Sequence, residues 1–481
     1  MTITNCATGT IAPYIPSVER PWNKQRVLHL YRRMGFGARP DQIETALGQN
    51  PADLVEAIID DAINLPLAPE PEWAFWTELD YDNFFEQRQE QYVEWLLRWT
   101  EDMLNNGFRE KLALFWSNHF VTRFDDYECT SYMYQYHKVL QQFALGNFKE
   151  FVSEIGKTPA MLIFLNGVQN TNVSPNENYA RELYELFTLG QDNMYTQMDI
   201  EETARALTGY VGVFSFCGPI GFVQEYFDEG EKTIFGQTGN WNYDDVHDIL
   251  FEQRTQEIAT FICTKIYKNF VHPDPDEDIV SDLAATFIDN DFELAPVFRQ
   301  LFKSEHFFDE YVIGAQIKSP IDHALSIIND ADLIYNQDSL GTLVYLSILL
   351  GQQLFNPVDV AGWPGNRTWI NSNTLTGRWQ EMDYVIYAAY EGTPQLLVDL
   401  AKQLSDNSND PNLVAQVIVD HFTPNGLNTP DAYDRAATVL KWEVPQNYYD
   451  NGQWNLDWDT VPAQVALLLQ HIVRLPEFQL H

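Results

Sequence analysis

The chain has 481 residues, 45% of them hydrophobic and 14% aromatic, enough to bury a large core. Asp and Glu number 69 against 29 Lys and Arg, a formal net charge of −40. So negative a surface repels phosphate backbones and anionic headgroups, which excludes bulk binding of nucleic acid or a membrane surface.

The period of the apolar residues is helical over most of the length. Residues 27–34 carry apolar side chains at helical spacing and stop at Gly35-Phe36-Gly37, where glycine releases the chain. Pro40 opens a second segment with Asp41 and Glu44 in its first turn. A third helix is predicted over 53–63, and the Pro-rich LPLAPEPEW behind it reads as a surface linker. A long amphipathic helix is predicted over 83–105 with Gly107 as its stop, then shorter ones at 109–121, 131–145, 160–165, 177–189 and 200–210. Over 211–245 the period disappears among glycines, β-branched and aromatic residues, which predicts a small irregular or β insertion. Helical patterns resume at 254–270, 277–290, 293–304, 318–334 and 340–351. An aromatic loop near 355–375 interrupts them before helices at 376–390, 394–405, 412–421, 430–441 and 461–474. The expectation is a mainly α fold: an extended segment over 1–25, then one continuous multi-helix domain over 26–481.

No apolar window approaches the roughly 20 residues of a membrane-spanning helix, so no membrane insertion is expected. The first 22 residues lack the basic and apolar stretches of a signal peptide, which reads as a cytoplasmic chain or one that begins after processing. Cys6, Cys129, Cys217 and Cys263 form no C-x-x-C pair and allow three disulfide pairings; buried free thiols are the plain reading.

Several segments together carry a resemblance: HLYRRMGFGARP (29–40), LALFWSNHF (112–120), PNENYARELYELFTLG (175–190), EETARALTGY (201–210), FDEGEKTIFGQTG (227–239), GQQLFNPVDVAGWPGNRTWINSNTL (351–375) and LPEFQL (475–480). In content and order the chain resembles a bacterial family known as the domain of unknown function 1800. The resemblance implies a shared fold along most of the chain, and its members are often exported. Two departures stand out. Relatives commonly carry histidine where this chain has Ser117 and Phe227, so any chemistry that needs those histidines is lost here.

On a helix over 177–189, Glu177, Arg181 and Glu185 share one face with Glu182 at its flank. This is either a solvated ion ladder or a polar face turned inward, where Glu177 and Glu182 would bind metal or act as acid and base. Glu202 and Arg205 repeat the pattern among Ala204, Ala206 and Leu207, which favours a buried Arg/Glu network. Arg26, His29 and Arg33 lie on one face of the first helix, with Arg32 beside them, and are expected to dock on an acidic neighbour such as Glu177 or Glu182. The alternative is that Arg32 or Arg33 grips a ligand carboxylate or phosphate.

His119 ends an apolar helix and reads first as a hydrogen-bonded core residue. With His29, Glu177, Glu182 and Asp228 it would make a His/carboxylate metal set, but their spacings are long-range. No H-E-x-x-H, G-x-S-x-G or Walker motif is present. Neither a nucleotide nor a tightly held transition metal is expected, although carboxylates alone would hold calcium or magnesium weakly. Trp363, Arg367, Trp369 and Trp379 mark the aromatic loop as either a plug over helix ends or a sugar platform.

Two classes of function follow. One is a helical accessory or binding protein with a structural Arg/Glu network, its partner another protein or a polysaccharide, the Trp loop serving in the latter case. The other is a metal-dependent or acid/base hydrolase centred on His119, Glu177, Glu182 and Asp228.

Overall fold

The computed structural model describes residues 9–212 and 217–481, and its first helix, Lys24–Met34, starts where the Asn23 side chain accepts the Arg26 N–H. Twenty-three α-helices follow one another among the described residues, against two antiparallel sheets of two strands each. The mainly α class read from periodicity is the class the chain adopts. The long helix runs Phe84–Asn106 and ends at Gly107, whose φ of 46° suits glycine.

The strands are β1 (Tyr210–Gly212) paired with β2 (Ile220–Phe222), and β3 (Lys232–Ile234) paired with β4 (Gln237–Gly239). Phe235 and Gly236, at φ 47° and 79°, close the second hairpin, the positive-φ pair that matches the twist of its strands. All four strands fall within or one residue before the insertion expected at 211–245.

Periodicity missed four helices: the short Phe124–Tyr127 and Gln446–Asp450, and the longer Phe148–Gly156 and Tyr243–Gln253, although the longer two each begin at an asparagine cap, Asn147 and Asn242. The segment at 177–189 is not one helix. It is a short α stretch, Asn178–Glu182, that widens into a π-helical turn over Leu183–Thr188, where the Leu189 N–H reaches back to Tyr184 O at 2.8 Å.

The buried apolar side chains form one contiguous cluster from Tyr14 to Phe478, with Trp116, Phe120, Phe148 and Phe151 packed ring on ring inside it. The N-terminal segment is fastened to it by backbone bonds from Tyr14 N to Lys303 O (2.7 Å) and from Glu305 N to Ala12 O (2.8 Å). Cys129 and Cys217 are joined in a disulfide, which corrects the free-thiol reading for that pair; Cys263 is a buried free thiol, and Cys6 lies outside the described residues. A separation of 88 residues gave no local signal for the pairing.

Candidate functional site

The basic first helix is buried, but its partners are not Glu177 or Glu182. Arg32 is ion-paired with Asp330 at 2.9 Å, and both side chains are almost wholly buried. Gly37, at φ 92°, leaves the space that Asp330 Oδ1 occupies while it accepts the Ala38 N–H. The Arg-Arg and Gly-Phe-Gly parts of the first motif thus serve one carboxylate. Arg33 Nε donates to Phe270 O at 3.1 Å, and its Nη2 donates to Asn269 O. Those carbonyls end the helix Thr255–Phe270, where unsatisfied acceptors and the helix dipole attract a cation. His29 Nε2 meets Phe307 O at 3.0 Å, and burial among Arg33, Arg32 and Arg26 pushes its imidazole down to about 3, so it is neutral.

The acidic ladder is at the surface. Arg181 is ion-paired with Glu177 (2.9 Å) and Glu185 (3.3 Å), with 37% of its side chain exposed. Arg205 binds Glu202 and Asp228, each at 2.8 Å, with 28% exposed. The expectation of a buried Arg/Glu network is corrected for both arginines. Glu177 and Glu185, four residues to either side of Arg181, and Glu202, three before Arg205, are within reach without burial. The Arg205 set is structural in another way, since Glu202 also accepts the Thr233 N–H at 3.0 Å and so ties helix Gln197–Ala206 to β3. Glu182 is half-buried, and burial with Glu185 nearby raises its carboxyl above the usual range.

His119, Glu177, Glu182 and Asp228 are not brought together. Glu177 and Asp228 are engaged by different arginines, and His119 sits at the π-helical turn, its Nε2 3.1 Å from Phe187 O. Among the described residues no three His, Cys, Asp or Glu side chains gather as a metal ion would require. Of the two positions where relatives carry histidine, Ser117 donates to Leu114 O (2.8 Å), and Phe227 packs against Phe222 with the Lys232 ammonium 4.7 Å over its ring.

Chemistry-bearing groups converge elsewhere, around a cavity of about 450 Å³. Four bases line it, Arg33, Lys111, Lys265 and Lys268, against the single acid Asp322. In a chain with 29 bases to 69 acids, that inversion marks the cavity as the place where cations have been gathered. Lys111, from helix Phe108–Ser117, is paired with Asp322, which the Ser319 hydroxyl also reaches at 2.9 Å. Arg33 Nη1 donates to His481 Nε2 at 2.6 Å. Lys268 lies exposed at the mouth, with no side-chain partner among the described residues.

One wall is the aromatic loop. Asn118 holds it by two bonds, donating from Nδ2 to Trp363 O (3.2 Å) and accepting the Trp363 N–H at Oδ1 (2.6 Å). Gly362, at φ 85°, is the only residue type that fits there, because a Cβ would collide with Asn118 Oδ1. Trp363 and Trp369 are 4% and 8% exposed, so the loop is a wall and not an open platform. Arg367 points to solvent, and Trp379 stands on helix Ser372–Gly392, outside the cavity lining.

At the inner end, Lys265 Nζ donates to His119 Nδ1 at 3.0 Å and to Leu186 O at 3.1 Å. Burial pushes the lysine down to about 8, and burial beside Lys265 drives His119 well below its ordinary value. A neutral His119 whose Nε2–H is spent on Phe187 O leaves Nδ1 free to accept from the lysine. The π-helical turn supplies both carbonyls, Leu186 and Phe187, so the widened backbone that replaced the expected helix positions this pair. Sequence reasoning singled out His119 but missed Lys265, Lys268, Lys111 and Asp322. The available signal was that bases are scarce and two of them, Lys265 and Lys268, lie three apart on one helix face.

The sequence features and this fold meet in the match of residues 29–480 to the family described as "Protein of unknown function (DUF1800)". The chain belongs to the DUF1800 family. No curated protein and no solved structure matches it. In DUF1800 terms, the three motifs HLYRRMGFGARP, LALFWSNHF and VAGWPGN meet at this cavity, supplying Arg33, then Asn118 and His119, and Trp363, with Lys111 one residue ahead of the second motif. No helix among the described residues of this DUF1800 chain is long and apolar enough to cross a membrane.

Proposed function

We propose that the chain is a binding protein for a small hydroxylated organic acid, held in the cavity beneath the Trp363 loop. The observation that carries this reading is the gathering of four bases against one acid in a chain of net charge −40. A volume of about 450 Å³ suits a molecule the size of a sugar acid. Asn269, Gln316, Gln352 and Asn366 in the lining supply amide partners for hydroxyl groups. The buried state of Trp363 and Trp369 favours a small enclosed ligand over a polymer laid on an open aromatic face. The Cys129–Cys217 disulfide supports an oxidising setting for this activity.

The test is calorimetric titration of the full chain with gluconate and with neutral glucose at low and high salt. Gluconate binds more tightly, and added salt weakens it. Lys268→Glu reverses one charge at the mouth. A change of two charges at roughly 8 Å in water is worth about 1 kcal/mol, so gluconate affinity falls about fivefold. Equal affinity for gluconate and glucose, or no binding of either, refutes the reading.

A further inference from the structure

We propose that Lys265 is a nucleophilic amine that forms an imine with a small 2-oxo acid in this cavity, an inference that rests on the cavity being an anion site. Lys265 and Lys111 line the same cavity with different kinds of partner. Lys111 is paired with the Asp322 carboxylate. Lys265 has no carboxylate within ion-pair distance among the described residues, and its two hydrogen-bond partners, His119 Nδ1 and Leu186 O, are both acceptors. A neutral amine has two N–H groups, and those two partners consume both, which leaves the nitrogen lone pair for the cavity. The Phe261 ring, 4.9 Å from Nζ, shields the amine on another side. The ionisable groups around it are Lys268 on its own helix, His119 and Lys111 from the helix Phe108–Ser117 and its turn, Arg33, Asp322 and His481. Of these only Asp322 is acidic, and it is already paired. The lowered lysine pKa described above agrees with this geometry.

The chemistry balances with the 2-oxo acid as the only co-reactant. Nζ attacks the ketone carbon, and a C–N bond forms as the C=O π electrons move to oxygen. The two amine protons move in turn to that oxygen. The C–O bond then breaks, water leaves, and the nitrogen lone pair completes C=N. One amine and one ketone give one imine and one water, with nothing oxidised or reduced. His119 touches the reacting nitrogen and orients it, which is what its fixed tautomer allows: Nδ1 accepts an N–H from the amine. Lys268 and Arg33 supply the positive potential for the carboxylate.

Borohydride reduction of the full chain with pyruvate, followed by peptide mapping, tests this. The reduced adduct is expected on Lys265 at about tenfold or more the level on exposed Lys268, because desolvation raises the free-amine share of Lys265 and the cavity holds the ketone beside it. Gluconate, which has no ketone, should suppress the labelling by competition, and Lys265→Arg should abolish it. Should Lys265→Arg fail to fold, the wild-type map and the gluconate competition decide alone. Labelling spread evenly over exposed lysines, or absent while gluconate still binds by calorimetry, overturns the imine proposal and leaves the anion site standing. Absence of both selective labelling and gluconate binding overturns the two together.

Discussion

Lys318 is a lysine whose removal should strengthen the fold. It is 1% exposed, its Nζ has no hydrogen-bond partner among the described residues, and it lies 4.1 Å over the Phe478 ring. Burial, with Arg32 nearby, pushes the ammonium from 10.5 down to about 7. A fall of that size corresponds to about 5 kcal/mol of folding cost while the group is charged in both states. The sign follows from which state binds the proton. Below pH ~7 the lysine is protonated folded and unfolded, and the full cost is present. Between about 7 and 10.5 the folded chain has released the proton and the unfolded chain has not, so the cost shrinks as pH rises; above 10.5 it is gone. Lys318→Met keeps the length of the side chain, removes the charge and forfeits about 1–2 kcal/mol of ammonium–ring attraction. The expected gain is about 3 kcal/mol at pH 6, or roughly 3 °C in Tm for a chain of this size, falling toward zero by pH 10. Thermal and denaturant unfolding of both proteins across that pH range is the assay. A destabilised variant at pH 6, or a difference that stays flat from pH 6 to 10, would show that the ammonium is held by a partner and refute the reasoning.

Three further outcomes are expected. Asp330→Asn removes the charge that partners buried Arg32 and should cost about 3–5 kcal/mol by denaturant unfolding, because the guanidinium is left uncompensated. Arg181→Ala should cost less than about 1 kcal/mol in the same assay, since its pairs with Glu177 and Glu185 are solvent-screened. Gly362→Ala should cost about 1–3 kcal/mol and weaken gluconate binding at the same time, because the new Cβ breaks the Asn118–Trp363 fastening of the cavity wall; loss of stability with unchanged gluconate affinity would separate the wall from the site.

Local physics was legible in the sequence wherever it depends on neighbours along the chain. The period of the apolar residues gave the mainly α class, the stop at Gly107 and the place of the strands, because helix faces, caps and turns are decided within a few residues. The segments HLYRRMGFGARP and VAGWPGN were recognisable as motifs, but the sequence did not say what their glycines make room for. That was decided by Asp330 and Asn118, which arrive from far along the chain. The π-helical turn at Leu183–Thr188 was hidden because its residues keep an α-like apolar period while tertiary contacts draw the carbonyls of Leu186 and Phe187 out to Lys265 and His119. Charged residues gave the weakest guidance. Spacing alone cannot tell a solvated ladder such as Glu177–Arg181–Glu185 from a buried pair such as Arg32–Asp330, because both satisfy the same charges. The sequence determined which charges exist and that bases are scarce. Only the tertiary structure decided which of them are dry, and the cost of desolvation makes that the difference between a surface and a site.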